Sequence, residues 1–164
     1  MTKDDLMKIA EVVEAADIMV ISDEIYSEMV FEGEPFTSFA ALPDMKERTI
    51  LINGVTKTYS MPGWRLGYAC GAPEIIDAML KVHQYIMINA PSISQYAAIE
   101  ALKNSDDYIK EKASIYDERR KYIIKRFKEM ELKCYAPKRA FYVFPSINET
   151  GLNSKEFCDR LLKE

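Results

Sequence analysis

Leu6, Ile9, Ala10 and Val13 fall on one face at helical spacing, which predicts an amphipathic helix that lays an apolar stripe on a sheet. Thr2 just ahead of them has the side chain of a helix cap, and Asp4 and Asp5 place two carboxylates at the positive end of the helix dipole. The pattern then changes. Residues 18–22 are a short apolar run, Ile18 to Ile21 followed by Ser22, of the kind found in a parallel strand buried on both faces, and the run ends at Asp23. From Phe31, Glu32, Gly33, Glu34 and Pro35 through Leu42, Pro43 and Asp44 the chain is turn-rich without a period, so 31–48 is expected to be a loop with aromatic anchors. A second strand is predicted over 49–52, followed by a turn at Asn53 and Gly54.

Residues 66–71 are small and read as a third strand, after which Pro73 opens a helix at its favoured first-turn position and carries it to about residue 88. Asn89, Ala90 and Pro91 break that helix, and Ser92 is expected to cap another that runs to 102. A long helix starts near Asp106, with Ile109, Ala113, Tyr116, Ile123, Phe127 and Met130 along one face. Its basic cluster of Arg119, Arg120, Lys121, Lys125 and Arg126 stands beside Asp117 and Glu118 and reads as a solvated face. Short strands over 132–135 and 141–144 and a helix from Ser154 complete the pattern. Helix, strand, then a carboxylate at the strand's end, repeated with a lysine after the next strand, defines an α/β chain.

Composition narrows the function. With 164 residues, 48% hydrophobic and 29% charged, the chain is globular, and no apolar run approaches a membrane span. A net charge of −4 argues against a nucleic-acid partner. Cys70, Cys134 and Cys158 are odd in number and widely spaced, which indicates neither a disulfide framework nor a metal site and suits reduced thiols in a cytoplasmic protein. His83 has no partner at metal-ligand spacing and reads as a helix-surface residue. The opening residues are polar and acidic, unlike a signal peptide.

The chemistry is concentrated in 52–67. Lys57 follows a strand end, where α/β proteins place their active groups. Gly54, Gly63 and Gly67 allow close approach of backbone to a ligand, and Pro62 and Gly63 fix a turn before Arg65. An amine and a guanidinium so placed ask for a phosphorylated carbonyl. Asp23 and Tyr26 on their own read first as a turn cap and a packed ring; Glu24 reads as structural.

The stretch from Gly54 to Gly67 resembles the lysine signature of the class I pyridoxal-phosphate aminotransferases: a small residue before the lysine, a Gly-x-Arg after it, and a closing strand of small residues. The resemblance implies a piece of the fold-type I architecture. Residues 1–104 would form part of the cofactor-binding large domain, a mostly parallel sheet with helices, and 105–164 the start of a small α+β C-terminal domain. It also implies pyridoxal 5'-phosphate as cofactor, Lys57 as the residue that carries it covalently and moves the α-proton, and Arg65 as the phosphate clamp. Asp23 would keep the ring nitrogen protonated and Tyr26 would hydrogen-bond the phenolic oxygen. The implied activity is amino-group transfer between an amino acid and a 2-oxo acid, in a homodimer whose interface includes 89–95, with 85–99 as the candidate contact. A β-eliminating C–S lyase of the same fold shares these residues. A non-catalytic chain with folding and association roles is the third reading, because the family's glycine-rich phosphate segment, ring-stacking aromatic, cofactor-contacting Asn and substrate-carboxylate arginine have no match within 1–164, as in a fragment. One local departure stands out: 137–142 resembles the family's Pro-x-Gly-Ala-Phe-Tyr, with Arg139 where glycine is usual, and strain is expected there if the position needs a positive φ.

Overall fold

The computed structural model describes residues 1–33 and 35–164; Glu34, within the expected 31–48 loop, lies outside the described residues. Helix α1, Lys3–Ala15, begins as its sequence dictates. The Thr2 hydroxyl accepts from the Asp5 N–H at 3.2 Å, and the Thr2 N–H donates to the Asp5 carboxylate at 2.8 Å. That reciprocal box satisfies two donors that a helix start leaves open. The Thr2 backbone bond, then its hydroxyl, holds the Asp5 carboxyl below its ordinary pKa.

Strand β1, Val20–Asp23, runs parallel to β2, Thr49–Gly54, in the register Val20 to Thr49 and Asp23 to Ile52. Strand β3, Gly67–Cys70, returns antiparallel along the other edge of β2, with Gly54 opposite Gly67. The expected Asn53-Gly54 turn does not form. Gly54 is extended at φ −179°, the strand continues through it, and the reversal falls to the segment between β2 and β3.

Leu6, Ala10 and Val13 of α1 pack on Phe39, Leu42 and Met45 of the 31–48 connection, with Val20 against them. The connection is thus anchored by rings, as its sequence indicates, and Phe31 is buried as well. Ile9, expected in the same stripe, stays exposed on its flank. Glu24 supports this layer: it is 6% exposed and accepts from the Ser22 and Ser38 hydroxyls at 3.0 and 2.9 Å and from the Phe39 N–H at 3.0 Å. Three donors compensate a carboxylate that would be costly to bury alone.

After β3 come the helices α3, Pro73–Ile86, α4, Ser92–Asn104, α5, Asp106–Glu129, and α6, Ser154–Leu161. Pro91, not Ser92, occupies the cap position of α4, and no side chain caps it. Between α3 and α4 the Asn89 N–H donates to the Met87 carbonyl at 2.8 Å around Ile88, whose φ is 65°. On α5, Ile109, Ala113, Tyr116, Ile123 and Phe127 are half-buried as their spacing predicts, whereas Met130, just past the helix, is exposed.

Two expectations fail in the last third. Arg120 is not part of a solvated face: it is 7% exposed and binds Asp117 at 2.8 Å, Glu32 at 2.9 Å and the Pro137 carbonyl at 3.1 Å, with its guanidinium over Phe31. The strands expected over 132–135 and 141–144 are absent; there is one bridge from Cys134 to Pro145 and another from Val30 to Arg139. Pro145 lacks an N–H, so it cannot continue a ladder, and the rings of 141–142 turn onto Tyr26 and Tyr116 instead. Cys70, Cys134 and Cys158 are free. No helix among the described residues is long and apolar enough to cross a membrane.

Candidate functional site

The site lies at the carboxyl ends of β1 and β2, where Asp23 ends one strand and Lys57 follows the other within a single helical turn, α2, Val55–Thr58. Gly54 is what allows that turn to sit against β3. A Cβ there would meet the Gly67 Cα and the Leu66 carbonyl oxygen at 3.0 Å each.

Lys57 is half-buried, with Nζ 5.2 Å from the centre of the Phe141 ring and 5.9 Å from that of Tyr26. Such placement suits an ammonium over aromatic faces. The Tyr26 ring meets Phe141 and Tyr142 edge-on, and its hydroxyl donates to the Tyr142 hydroxyl at 2.8 Å. Burial first, and then the Tyr142 hydrogen bond, raises the Tyr26 phenol well above its ordinary pKa, so the group remains a proton donor.

Asp23 uses one carboxylate oxygen to accept from the Ile25 N–H at 3.1 Å, the turn-cap role its sequence allowed. The same side chain borders two open clefts. One, of about 290 Å³, also has Asn53, Thr56, Arg65 and Gly67 on its walls. The other, of about 370 Å³, is shared with Tyr26 and Arg139. Arg65 is exposed, sits at φ 51°, and turns one N–H back to the Pro62 carbonyl at 3.0 Å. The structure therefore brings Asp23 to Arg65 in one cleft and Asp23 to Tyr26 in the other. Lys57 approaches Tyr26 and lines neither cleft.

Arg139 carries no left-handed strain; the positive φ, 60°, is at Ala140. Arg139 instead stacks its guanidinium on Phe36 at 5.3 Å and donates to the Pro35 carbonyl at 3.1 Å. The neighbours of Lys57 that sequence reasoning missed are Phe141 and Lys112, with Tyr142 and Tyr116 packed behind them. Phe141 stacks on Tyr116 at 5.5 Å, and Lys112 places its ammonium 5.7 Å from the Tyr116 ring while donating to the carbonyls of Lys57 and Thr58. A signal existed, because Lys112 precedes Tyr116 by one helical turn and so lies on the apolar stripe rather than the solvated side.

Known proteins resemble this arrangement over the entire chain. The chain superposes on the crystal structure of an aromatic aminotransferase from Pyrococcus horikoshii OT3 with a TM-score of 0.96 at 44% identity, covering 99% of this chain and 44% of that one. It is 44% identical over 163 residues to a putative aminotransferase, YugH, of Bacillus subtilis (strain 168), covering 99% of this chain and 42% of that protein. It is also 42% identical over 164 residues to the aspartate aminotransferase of Pyrococcus abyssi, with 99% and 42% covered. The architecture is that of the α/β fold-type I aminotransferases. The profile of the family described as aminotransferase class I and II matches residues 1–164, and the chain belongs to that family. It spans less than half the length of these relatives.

Proposed function

We propose that this chain supplies the cofactor-lysine half of an aminotransferase site, in which Lys57, Asp23, Tyr26 and Arg65 hold pyridoxal 5'-phosphate. The observation that supports the reading is that two clefts at adjacent strand ends share the exposed Asp23 carboxylate, one with the exposed Arg65 guanidinium and the other with Tyr26, whose ring the half-buried Lys57 amine approaches. That donor set fits a phosphorylated pyridine aldehyde: the amine for its carbonyl, Arg65 for its phosphate, Asp23 for its ring nitrogen and the Tyr26 hydroxyl for its phenolic oxygen. When bound, the cofactor supplies the electron sink that makes a substrate's Cα–H acidic. Lys57 would take that proton at Nζ and give it back. Asp23 keeps positive charge on the ring nitrogen, and Arg65 fixes the phosphate so that the proton's path stays short. The substrates on this reading are an amino acid and a 2-oxo acid.

The proposed division into a large-domain part, 1–104, and a C-terminal part, 105–164, falls on Ser105, the residue between α4 and α5. We assign self-association to the faces of α3 and α4 that residues 85–99 present. The test of the central reading is borohydride reduction of the intact protein with pyridoxal phosphate, followed by peptide mass mapping. A dominant adduct on Lys57, absent in Lys57→Ala, is expected; labelling spread evenly over surface lysines would refute it.

A further inference from the structure

We propose that Lys112 is a positioning residue for Lys57: its ammonium fastens the carbonyl end of α2 to α5 and keeps a second positive charge beside the reactive amine. The inference rests on Lys57 being the cofactor-carrying lysine.

The need for a fastener follows from α2 itself. It is a single turn, Val55–Thr58, its cap residue Gly54 offers no side chain, and the turn ends at Ser60 in a left-handed conformation. Its closing bonds are long, 3.3 Å from the Tyr59 N–H to the Val55 carbonyl and 3.4 Å from the Ser60 N–H to the Lys57 carbonyl. One turn has no cooperative stability of its own. Lys112 provides what is missing from outside, with donation to the Lys57 carbonyl and to the Thr58 carbonyl at 3.3 Å, charge-assisted bonds that are stronger than neutral ones. The backbone atom it grips belongs to the residue whose side chain does the chemistry.

Among the described residues Lys112 pairs with carbonyls and rings and with no carboxylate. Burial, and then the charge of Lys57, pushes the Lys112 ammonium below its ordinary pKa. On α5 it faces the Tyr116 ring, with the Arg119 guanidinium over the same ring. Tyr26 faces Lys57 from the segment after β1, with Asp23 as the carboxylate acting on Tyr26. A positive charge held beside Lys57 disfavours adding a proton to the nitrogen there. Removing it therefore raises the pH at which that nitrogen, joined to the cofactor, loses its proton.

The experiment uses the intact protein loaded with pyridoxal phosphate and its Lys112→Met, Lys112→Gln and Lys112→Arg variants. Borohydride mapping first locates the adduct, and the visible absorbance of the bound cofactor is then titrated against pH, with Tm recorded in parallel. The two neutral variants are expected to raise the midpoint by roughly half a unit or more. Arg should keep it at the wild-type value, and Gln, which retains an N–H donor for the carbonyls, should lose less Tm than Met. A purely structural Lys112 would lower Tm without moving the midpoint. If the adduct is on Lys57 and the neutral variants titrate with the wild type, the role of Lys112 is overturned and the proposed function stands. If no adduct forms on Lys57, both fall. Should Lys112→Met fail to fold, Lys112→Gln decides alone.

Discussion

Arg65 and Tyr26 differ in how far the structure has already committed their polar groups. Arg65 spends one N–H on the Pro62 carbonyl and leaves its remaining donors in the open cleft with Asp23. Replacing it with Ala is expected to weaken cofactor binding by roughly tenfold to a hundredfold, the worth of one charge-assisted contact, as measured by equilibrium dialysis. Equal affinity would remove Arg65 from the site. Tyr26 is occupied by Tyr142, and burial with that bond holds its phenol above the ordinary value. Ultraviolet difference titration of Tyr142→Phe should bring the Tyr26 transition to lower pH, though not to that of a free tyrosine, because the larger cause, burial, remains. The placement of Asp23, Tyr26, Lys57 and Arg65 around the ends of adjacent strands was legible in the sequence, since each lies in a short local motif. The meetings of Phe141 and Lys112 with Lys57, and of Tyr142 with Tyr26, were not, because these residues arrive from segments far along the chain and no local spacing records them.

Helix α5 is tied to the rest of the chain by a buried cation rather than by apolar packing alone. Arg120 joins Glu32, Asp117 and the Pro137 carbonyl. Replacing it with Leu leaves Glu32 without this partner and Asp117 with Lys121 alone, and is expected to cost about 2–4 kcal/mol in urea unfolding. A loss below about 1 kcal/mol would show that water replaces the guanidinium at no penalty. The Lys121 hydrogen bond, and then that of Arg120, holds the Asp117 carboxyl below its ordinary pKa of 3.8. A depressed carboxylate stabilises the fold above its unfolded pKa, and that contribution disappears as pH falls through the folded one. Acid destabilisation below about pH 4 should therefore be shallower in Arg120→Leu, as read from unfolding midpoints over a pH series. The spans of the longer helices, the Thr2 cap of α1 and the three strands of the sheet were readable from period and cap chemistry. The absent strands of 132–135 and 141–144 were not, because an aromatic run satisfies β-propensity whether it pairs or packs.

Apolar surface is distributed unevenly over the molecule. The core gathers under α1, while Tyr85 is 94% exposed, Ile88 76% and Tyr96 74%, with Ile86, Met87 and Ile93 beside them. Ile88 is in addition a β-branched residue at positive φ, a conformation that costs energy and persists where its surroundings demand it. Light scattering at micromolar concentration should show association, and a double change, Ile88→Asp with Tyr96→Asp, should shift it to monomer. A monodisperse monomer of the unaltered protein would place that surface against something other than a second copy.

The register of the sheet also sets an order of assembly. Pairing Gly54 with Gly67 closes a loop of about 13 residues, whereas pairing Val20 with Thr49 closes one of about 29, a difference of about 0.7 kcal/mol in closure entropy. The shorter loop carries both Lys57 and Arg65, so the amine and the proposed phosphate clamp take their relative places as β2 meets β3. Asp23 and Tyr26 arrive afterwards, with β1, on a scaffold that already exists. Pulse-labelled hydrogen exchange during refolding should accordingly protect the amides shared by β2 and β3 before those of β1.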